Sequence, residues 1–107
     1  MEGLWTIEFG SSVGMYGGAV VFLENGKVMG GDSGYSYLGE FDMEGSNLRA
    51  TIKASPFIAD YENVFRTPGE LTVEIVGLLT DETHAVAQGH PVGRPDLRLG
   101  MKLTKRS

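Results

Sequence analysis

The chain has 107 residues, no cysteine, sixteen glycines and a formal net charge of −5 at pH 7, which predicts one domain whose core holds without disulfides. The acidic balance disfavours a direct nucleic-acid partner, because neutralising phosphates requires lysine and arginine. The start, MEGLWTIEFG, lacks a basic and an apolar segment, and no apolar run reaches about 18 residues, so we expect a cytoplasmic protein without signal peptide or membrane span.

Apolar and polar residues alternate with a period of two along most of the chain, which is the pattern of half-buried strands. The predicted strands, in chain order, are 4–9, 15–23, 27–31, 35–41, 48–54, 71–75, 84–89 and 97–104. Asn25-Gly26 supplies the positive φ angles of a type I′ turn, so the second and third strands should be antiparallel neighbours. Short strands joined by short turns are typical of a β-sandwich or a β-barrel.

One segment departs from this alternation. Phe57, Ile58, Tyr61 and Phe65 stand near helical spacing between two prolines, so we expect at most one short helical turn near residues 57–66, plugging one end of a barrel.

Closing the sheet would bury the apolar face of every strand and remove exposed edges. We therefore predict an all-β fold, a single antiparallel up-and-down β-barrel of about eight strands over residues 1–107. An eight-stranded interior is either filled by side chains or holds one small ligand. The inward positions mix large and small residues, so composition leaves both states open.

Gly31-Asp32-Ser33-Gly34 matches the surroundings of the nucleophile in trypsin-like serine proteases. A nucleophilic serine needs a histidine base, and in those enzymes histidine and aspartate precede the serine, whereas both histidines follow Ser33 here. A turn between strands is favoured, because the Asp32 carboxylate can accept hydrogen bonds from N–H groups about two residues on. The predicted turn residues of this region are Asn25, Gly26, Gly30, Gly31, Asp32 and Gly34.

The remaining polar groups indicate little chemistry. His84 and His90, with Asp81 and Glu82, do not match a metal-ligand spacing, so we expect no metal and no cofactor. Without a nucleophile–base pair or a metal set, we expect no enzymatic activity. Arg98, Lys102 and Arg106 share one parity on the last strand and should face water, with contact to an acidic partner as the alternative.

Four segments in order resemble the GrlR-like family of bacterial regulatory proteins, which includes negative regulators of type III secretion. These segments are GLWTIEFGSSVGMYGGAVVF, ENGKVMGGDSGYSYLGEF, LRATIKAS and LRLGMKLTKRS. The Asn-Gly hairpin followed by Gly-Gly-Asp and a tyrosine is the most specific part. The resemblance implies a lipocalin-like barrel that forms a homodimer and sequesters a helix-turn-helix transcription activator by protein–protein contact. In the secretion regulator an acidic run follows the strand matching 35–41, and this chain has Asp42 and Glu44 in a predicted turn over 42–47.

Two functions follow as hypotheses. The first is a non-catalytic regulator that binds a protein partner through Asp42 and Glu44. The second is a lipocalin-like binder of a small apolar ligand in the barrel interior. The residues expected to line that interior site are Trp5, Ile7, Phe9, Tyr35, Tyr37, Phe41 and Met101.

Overall fold

A computed structural model describes all 107 residues and contains eight β-strands and no helix. The strands, numbered β1 to β8, are Gly3–Ser11, Tyr16–Glu24, Lys27–Gly31, Tyr35–Glu44, Asn47–Pro56, Leu71–Asp81, His84–Pro91 and Leu99–Lys105. Each strand is antiparallel to the next, and β8 pairs with β1 to close the sheet. The predicted all-β, up-and-down antiparallel barrel is confirmed, and its architecture is consistent with a lipocalin-like fold.

The period-two pattern produces the core. On β1, Trp5, Ile7 and Phe9 are buried, whereas Glu8 between them is exposed. Sixteen buried apolar residues from around the barrel form one cluster. Burying a large apolar side chain contributes about 1.5–3 kcal/mol, so this shared interior is the main source of stability.

The two ends of the barrel differ. One end, the hairpin end, carries the tight turns at 25–26, 45–46 and 82–83, and the other, the loop end, carries the segments 12–15, 32–34, 57–70 and 92–98. Trp5 lies near the hairpin end, where it is fully buried and its indole N–H donates a hydrogen bond of 2.9 Å to the Met1 carbonyl. The hairpin-end half of the interior is therefore filled by side chains.

The hairpin between β2 and β3 has the predicted geometry. Asn25 and Gly26 adopt φ angles of 51° and 75°, as a type I′ turn requires. The register pairs Glu24 with Lys27 across this turn.

Several strands run further than the alternation predicts. The predicted turn over 42–47 is instead a two-residue turn at Gly45-Ser46, because inward-facing Met43 continues the alternation of β4. Asp42 and Glu44 are consequently strand residues on the outer face of β4, opposite Arg49 and Asn47. At the other boundary, β8 begins at Leu99, so buried Leu97 precedes the strand instead of opening it.

The segment 57–70 contains no helix, so the helical turn suggested by its spacing is absent. Positive φ angles of 59° at Asp60 and 57° at Arg66 reverse the backbone twice and prevent a continuous helical turn. The segment still covers one end of the barrel, as expected, and buries Phe65 in the core cluster.

Glycine is required where two strands approach closely. A Cβ at Gly39 on β4 would lie 2.1 Å from the carbonyl oxygen of Thr51 and 2.9 Å from the Cα of Ile52, both backbone atoms of β5. Any side chain at Gly39 would therefore push β4 away from β5.

We expect Gly39→Ala to lower the free energy of unfolding by about 1–3 kcal/mol, the usual cost of overpacking. Gly100→Ala on β8 is the matched control, because its Cβ would meet nothing within 4 Å. That control should leave stability unchanged or raise it by a few tenths of a kcal/mol, since alanine has less freedom to lose than glycine. Urea unfolding followed by Trp5 fluorescence measures both, and equal stabilities of the two variants would contradict the close-approach argument.

Candidate functional site

A cavity of about 310 Å³ occupies the loop-end half of the barrel interior. Hydrophobic residues make up 17 of its 23 lining residues, so its wall suits an apolar occupant. The volume lies at the lower end of the range of roughly 300–1,000 Å³ that is typical of small-molecule sites.

Five of the seven residues predicted to line the interior site line this cavity: Ile7, Phe9, Tyr35, Tyr37 and Met101. Trp5 and Phe41 do not, because both lie in the filled half of the barrel. The structure thus places five of the seven predicted residues at the cavity and the other two away from it.

Much of the remaining wall comes from strands that the sequence prediction did not assign to a site. The additional inward apolar positions on β2, β5 and β6 are Ala19, Ile52, Ala54, Leu71, Val73 and Ile75. Their alternating positions along the strands identify them as inward-facing. Only the register between strands shows which of them face the empty half of the barrel interior. The small side chains of Ala19 and Ala54 leave space where larger ones would fill it.

Asp32 is fixed at the mouth of the cavity. Its Oδ1 atom accepts hydrogen bonds from the N–H groups of Gly34 at 2.9 Å and Tyr35 at 2.8 Å, which forms an Asx-type turn. Its Oδ2 atom accepts a hydrogen bond from the Tyr37 hydroxyl. Three donors thus orient one carboxylate toward an otherwise apolar space.

The phenol of Tyr37 is held protonated by its surroundings. Burial is the larger cause and the hydrogen bond to the Asp32 carboxylate the next, and both raise the pKa of Tyr37 well above its usual value of about 10. The Tyr37 hydroxyl therefore keeps its proton and remains a hydrogen-bond donor to Asp32.

Ser33 belongs to a turn that packs against the ring of Tyr61. Its Oγ atom lies 2.5 Å from the Tyr61 hydroxyl, and a Cβ at neighbouring Gly34 would lie 2.2 Å from the Tyr61 ring. Tyr61 also meets Tyr35 edge to face, with ring centroids 6.1 Å apart. Neither histidine bonds to Ser33: His84 is hydrogen-bonded to Asp81 and Thr83, and His90 lies 3.8 Å from Glu74.

Asn63 holds the segment 57–70 over the loop end. Its Oδ1 accepts a hydrogen bond from the Phe65 N–H at 2.9 Å, and its Nδ2 donates to the Thr67 carbonyl at 2.6 Å and to the Tyr35 hydroxyl at 3.1 Å. Ser11 Oγ adds a bond of 2.5 Å to the Val64 carbonyl. The bonds to Phe65 and Thr67 are local, whereas the bond from Asn63 to Tyr35 and the bond from Ser11 to Val64 join distant segments that the local sequence pattern does not reveal.

The other charged groups lie on the surface. No three histidine, cysteine, aspartate or glutamate side chains come together as a metal site. Arg98, Lys102 and Arg106 are exposed, as their parity predicts. The chain has no helix that could cross a membrane.

Four apolar residues form a cluster on the outside of β2, β3 and β4. Phe22 pairs with Met29, and Met29 pairs with Leu38, with exposed fractions of 40%, 44% and 59%. Val20 joins them on β2, and together we call these four residues the outer apolar patch. Glu40, Asp42 and Glu44 continue from Leu38 along the outer face of β4. Asp42 and Glu44, the predicted partner residues, therefore lie on the strand that carries part of this patch.

No protein-family model matches the chain, and no curated protein is similar to it in sequence.

We expect Tyr37→Phe to lower the free energy of unfolding at pH 7 by about 1–3 kcal/mol, because the Asp32 Oδ2 atom loses its donor. The stabilisation from native Tyr37 is fully present below pH 10 and decreases at higher pH, because the unfolded chain ionises this phenol first. The stability difference between wild type and variant should therefore shrink between pH 10 and pH 11.

Urea unfolding from pH 7 to pH 11 measures this difference. Tyr16→Phe is the matched control, since Tyr16 is 85% exposed and its hydroxyl has no hydrogen bond within the protein. A difference that stays constant with pH would contradict the assigned Asp32–Tyr37 interaction.

Proposed function

We propose that this protein binds a small, mainly apolar molecule inside its barrel. The observation that carries the proposal is the cavity of about 310 Å³, which opens at the loop end and has a mostly apolar wall. Enclosed apolar space favours an apolar ligand, since each Å² of ligand surface removed from water contributes roughly 25 cal/mol. The closed barrel holds the wall in place, so little reorganisation opposes binding.

The polar groups at the mouth support a binding role over a purely structural one. Asp32, Tyr35, Tyr37 and Asn63 all border the cavity, and a few fixed polar groups at the rim of an apolar site orient a ligand. Every buried side-chain polar atom in the protein has a hydrogen-bond partner. The rim is therefore stable without a ligand, and the site is formed in advance.

We expect Ala54→Phe to weaken binding of the neutral fluorescent probe N-phenyl-1-naphthylamine at least tenfold, because the added ring would occupy the cavity. Leu38→Ser changes only the outer surface and should bind the probe as the wild type does. Val73→Phe places a ring at a second lining position and should have the same effect, so the test can still be made if Ala54→Phe does not fold. A wild-type protein that fails to bind the probe, or an Ala54→Phe protein that binds it normally, would overturn the proposal.

A second candidate function is regulation by protein–protein contact, as the GrlR-like resemblance implies. The observation that favours it is the outer apolar patch, which lies beside the acidic residues Glu40, Asp42 and Glu44 of β4. Contiguous exposed apolar residues mark interaction surfaces. Lys27 Nζ lies 2.8 Å from Glu40 Oε1, so that acid is already paired. Asp42 and Glu44 are then the acids available to a basic partner, such as the DNA-binding surface of a transcription activator. The same patch is also a candidate surface for the homodimer that the resemblance implies.

If this second function holds, the double variant Asp42→Lys and Glu44→Lys and the single variant Leu38→Ser should each reduce partner recovery at least tenfold. Ala54→Phe should leave recovery unchanged. Glu8→Lys is the control for a charge reversal elsewhere on the surface, since Glu8 is exposed on β1, outside the patch. Native mass spectrometry of gently purified protein measures the oligomer, any partner and any bound small molecule, and equal recovery by all variants would exclude this surface as the contact.

A further inference from the structure

The charges around the cavity restrict the kind of ligand it can take. Among the lining residues are two carboxylates, Asp32 and Glu62, and no lysine, arginine or histidine. Arg66 lies near the loop end but does not line the cavity, and its Nε atom is 3.7 Å from Glu62 Oε1. The other cations near the loop end that form ion pairs are Lys53, which pairs with Glu70, and Arg94, which pairs with Asp96, so none of these pairs involves Asp32.

Asp32 retains capacity for a ligand. A carboxylate has about four acceptor sites, and three of those on Asp32 are occupied by the N–H groups of Gly34 and Tyr35 and the hydroxyl of Tyr37. All three partners donate, so Asp32 acts only as an acceptor in these bonds. The remaining site can receive one more donor.

The hydroxyl groups at the mouth have few protons left to donate. Tyr37 donates to Asp32, and Tyr35 donates to the Gly69 carbonyl at 2.9 Å. Ser33 and Tyr61 share one proton between their oxygen atoms, which leaves one uncommitted proton in that pair. The rim therefore presents mainly acceptors and negative charge, whereas an anionic ligand needs donors and positive charge.

On the basis of the proposed function, we infer that the ligand is an apolar molecule with a polar end that donates hydrogen bonds. An amine is preferred over an alcohol, and a carboxylate is disfavoured. The apolar part would lie between β1, β2, β5 and β6, with its polar end toward Asp32. An ammonium group would gain a charge-assisted bond, which is stronger than a neutral one. A carboxylate would lie close to half-buried Asp32, where like charges repel more strongly than in bulk water.

The test uses three eight-carbon probes, octylamine, octanol and octanoate, which compete with N-phenyl-1-naphthylamine for the wild-type protein at pH 7. We expect octylamine to bind most tightly and octanoate at least tenfold more weakly than octanol. If octanoate binds as tightly as octanol, the inference about ligand charge is overturned, whereas the proposed binding function is unaffected. If neither the fluorescent probe nor any of the three compounds binds, the proposed function itself fails.

Asp32→Asn identifies the group responsible. Asparagine keeps an oxygen for the N–H groups of Gly34 and Tyr35, so the turn is retained while the charge is removed. The preference for octylamine should disappear, and octanoate should approach octanol to within about threefold. Asp60→Asn is the matched control and should preserve the wild-type order, because Asp60 is exposed in the segment 57–70 and does not line the cavity. An unchanged order in Asp32→Asn, or loss of the order in Asp60→Asn alone, would overturn the role assigned to Asp32.

Discussion

The pairing of β1 with β8 is the constraint on which the rest of the structure depends. The two strands are joined over seven residue pairs, from Trp5–Lys105 to Ser11–Leu99. Once this seam is formed, every strand has two neighbours, and alternate residues on every strand must enter one enclosed space. The inward residues then determine whether that space is filled or empty, and the outward residues form the surface without affecting it.

The interior has a filled half and an empty half. Trp5, Leu23 and Leu48 are among the large buried residues of the hairpin-end half. Toward the loop end, Gly17, Ala19 and Ala54 contribute little volume, and the segment 57–70 covers the space without filling it. The cavity therefore arises from the small residues on β2 and β5 together with the cap over the loop end. The polar groups that fix the cap, Asn63 above all, also form the polar border of the space beneath it.

Much of the architecture could be predicted because it depends on local rules. Alternation identified the strands, and Asn25-Gly26 identified a turn whose positive φ angles few other residues tolerate. The alternation failed where outward positions are apolar: Val76 and Leu78 on β6 face solvent, so the end of that strand was not recognised. Asp42-Met43-Glu44 has the composition of a turn, yet inward-facing Met43 keeps it in β4.

The candidate site could be predicted only in part, for a different reason. Parity places Tyr37 and Phe41 on the same inward face of β4, but only the register puts Tyr37 beside the cavity and Phe41 away from it. Asn63 and the outer apolar patch depend on contacts between distant segments, and these have no signature in a single stretch of sequence. The bond from Tyr37 to Asp32 likewise requires the turn at 32–34 to be formed first.

The closed seam also decides how this barrel can recognise another protein. Many β-sheet proteins bind partners by adding a strand from the partner to an unpaired strand, which uses backbone hydrogen bonds that any sequence can make. Here every strand has a neighbour on both sides, and only short ends such as residues 16–19 of β2 and 42–44 of β4 lack a second partner, so this route has little backbone to use. Recognition must therefore be mediated by side chains, on the outer wall or around the loop end. Partner choice in such a barrel can change through surface substitutions alone, while the backbone that encloses the cavity stays the same.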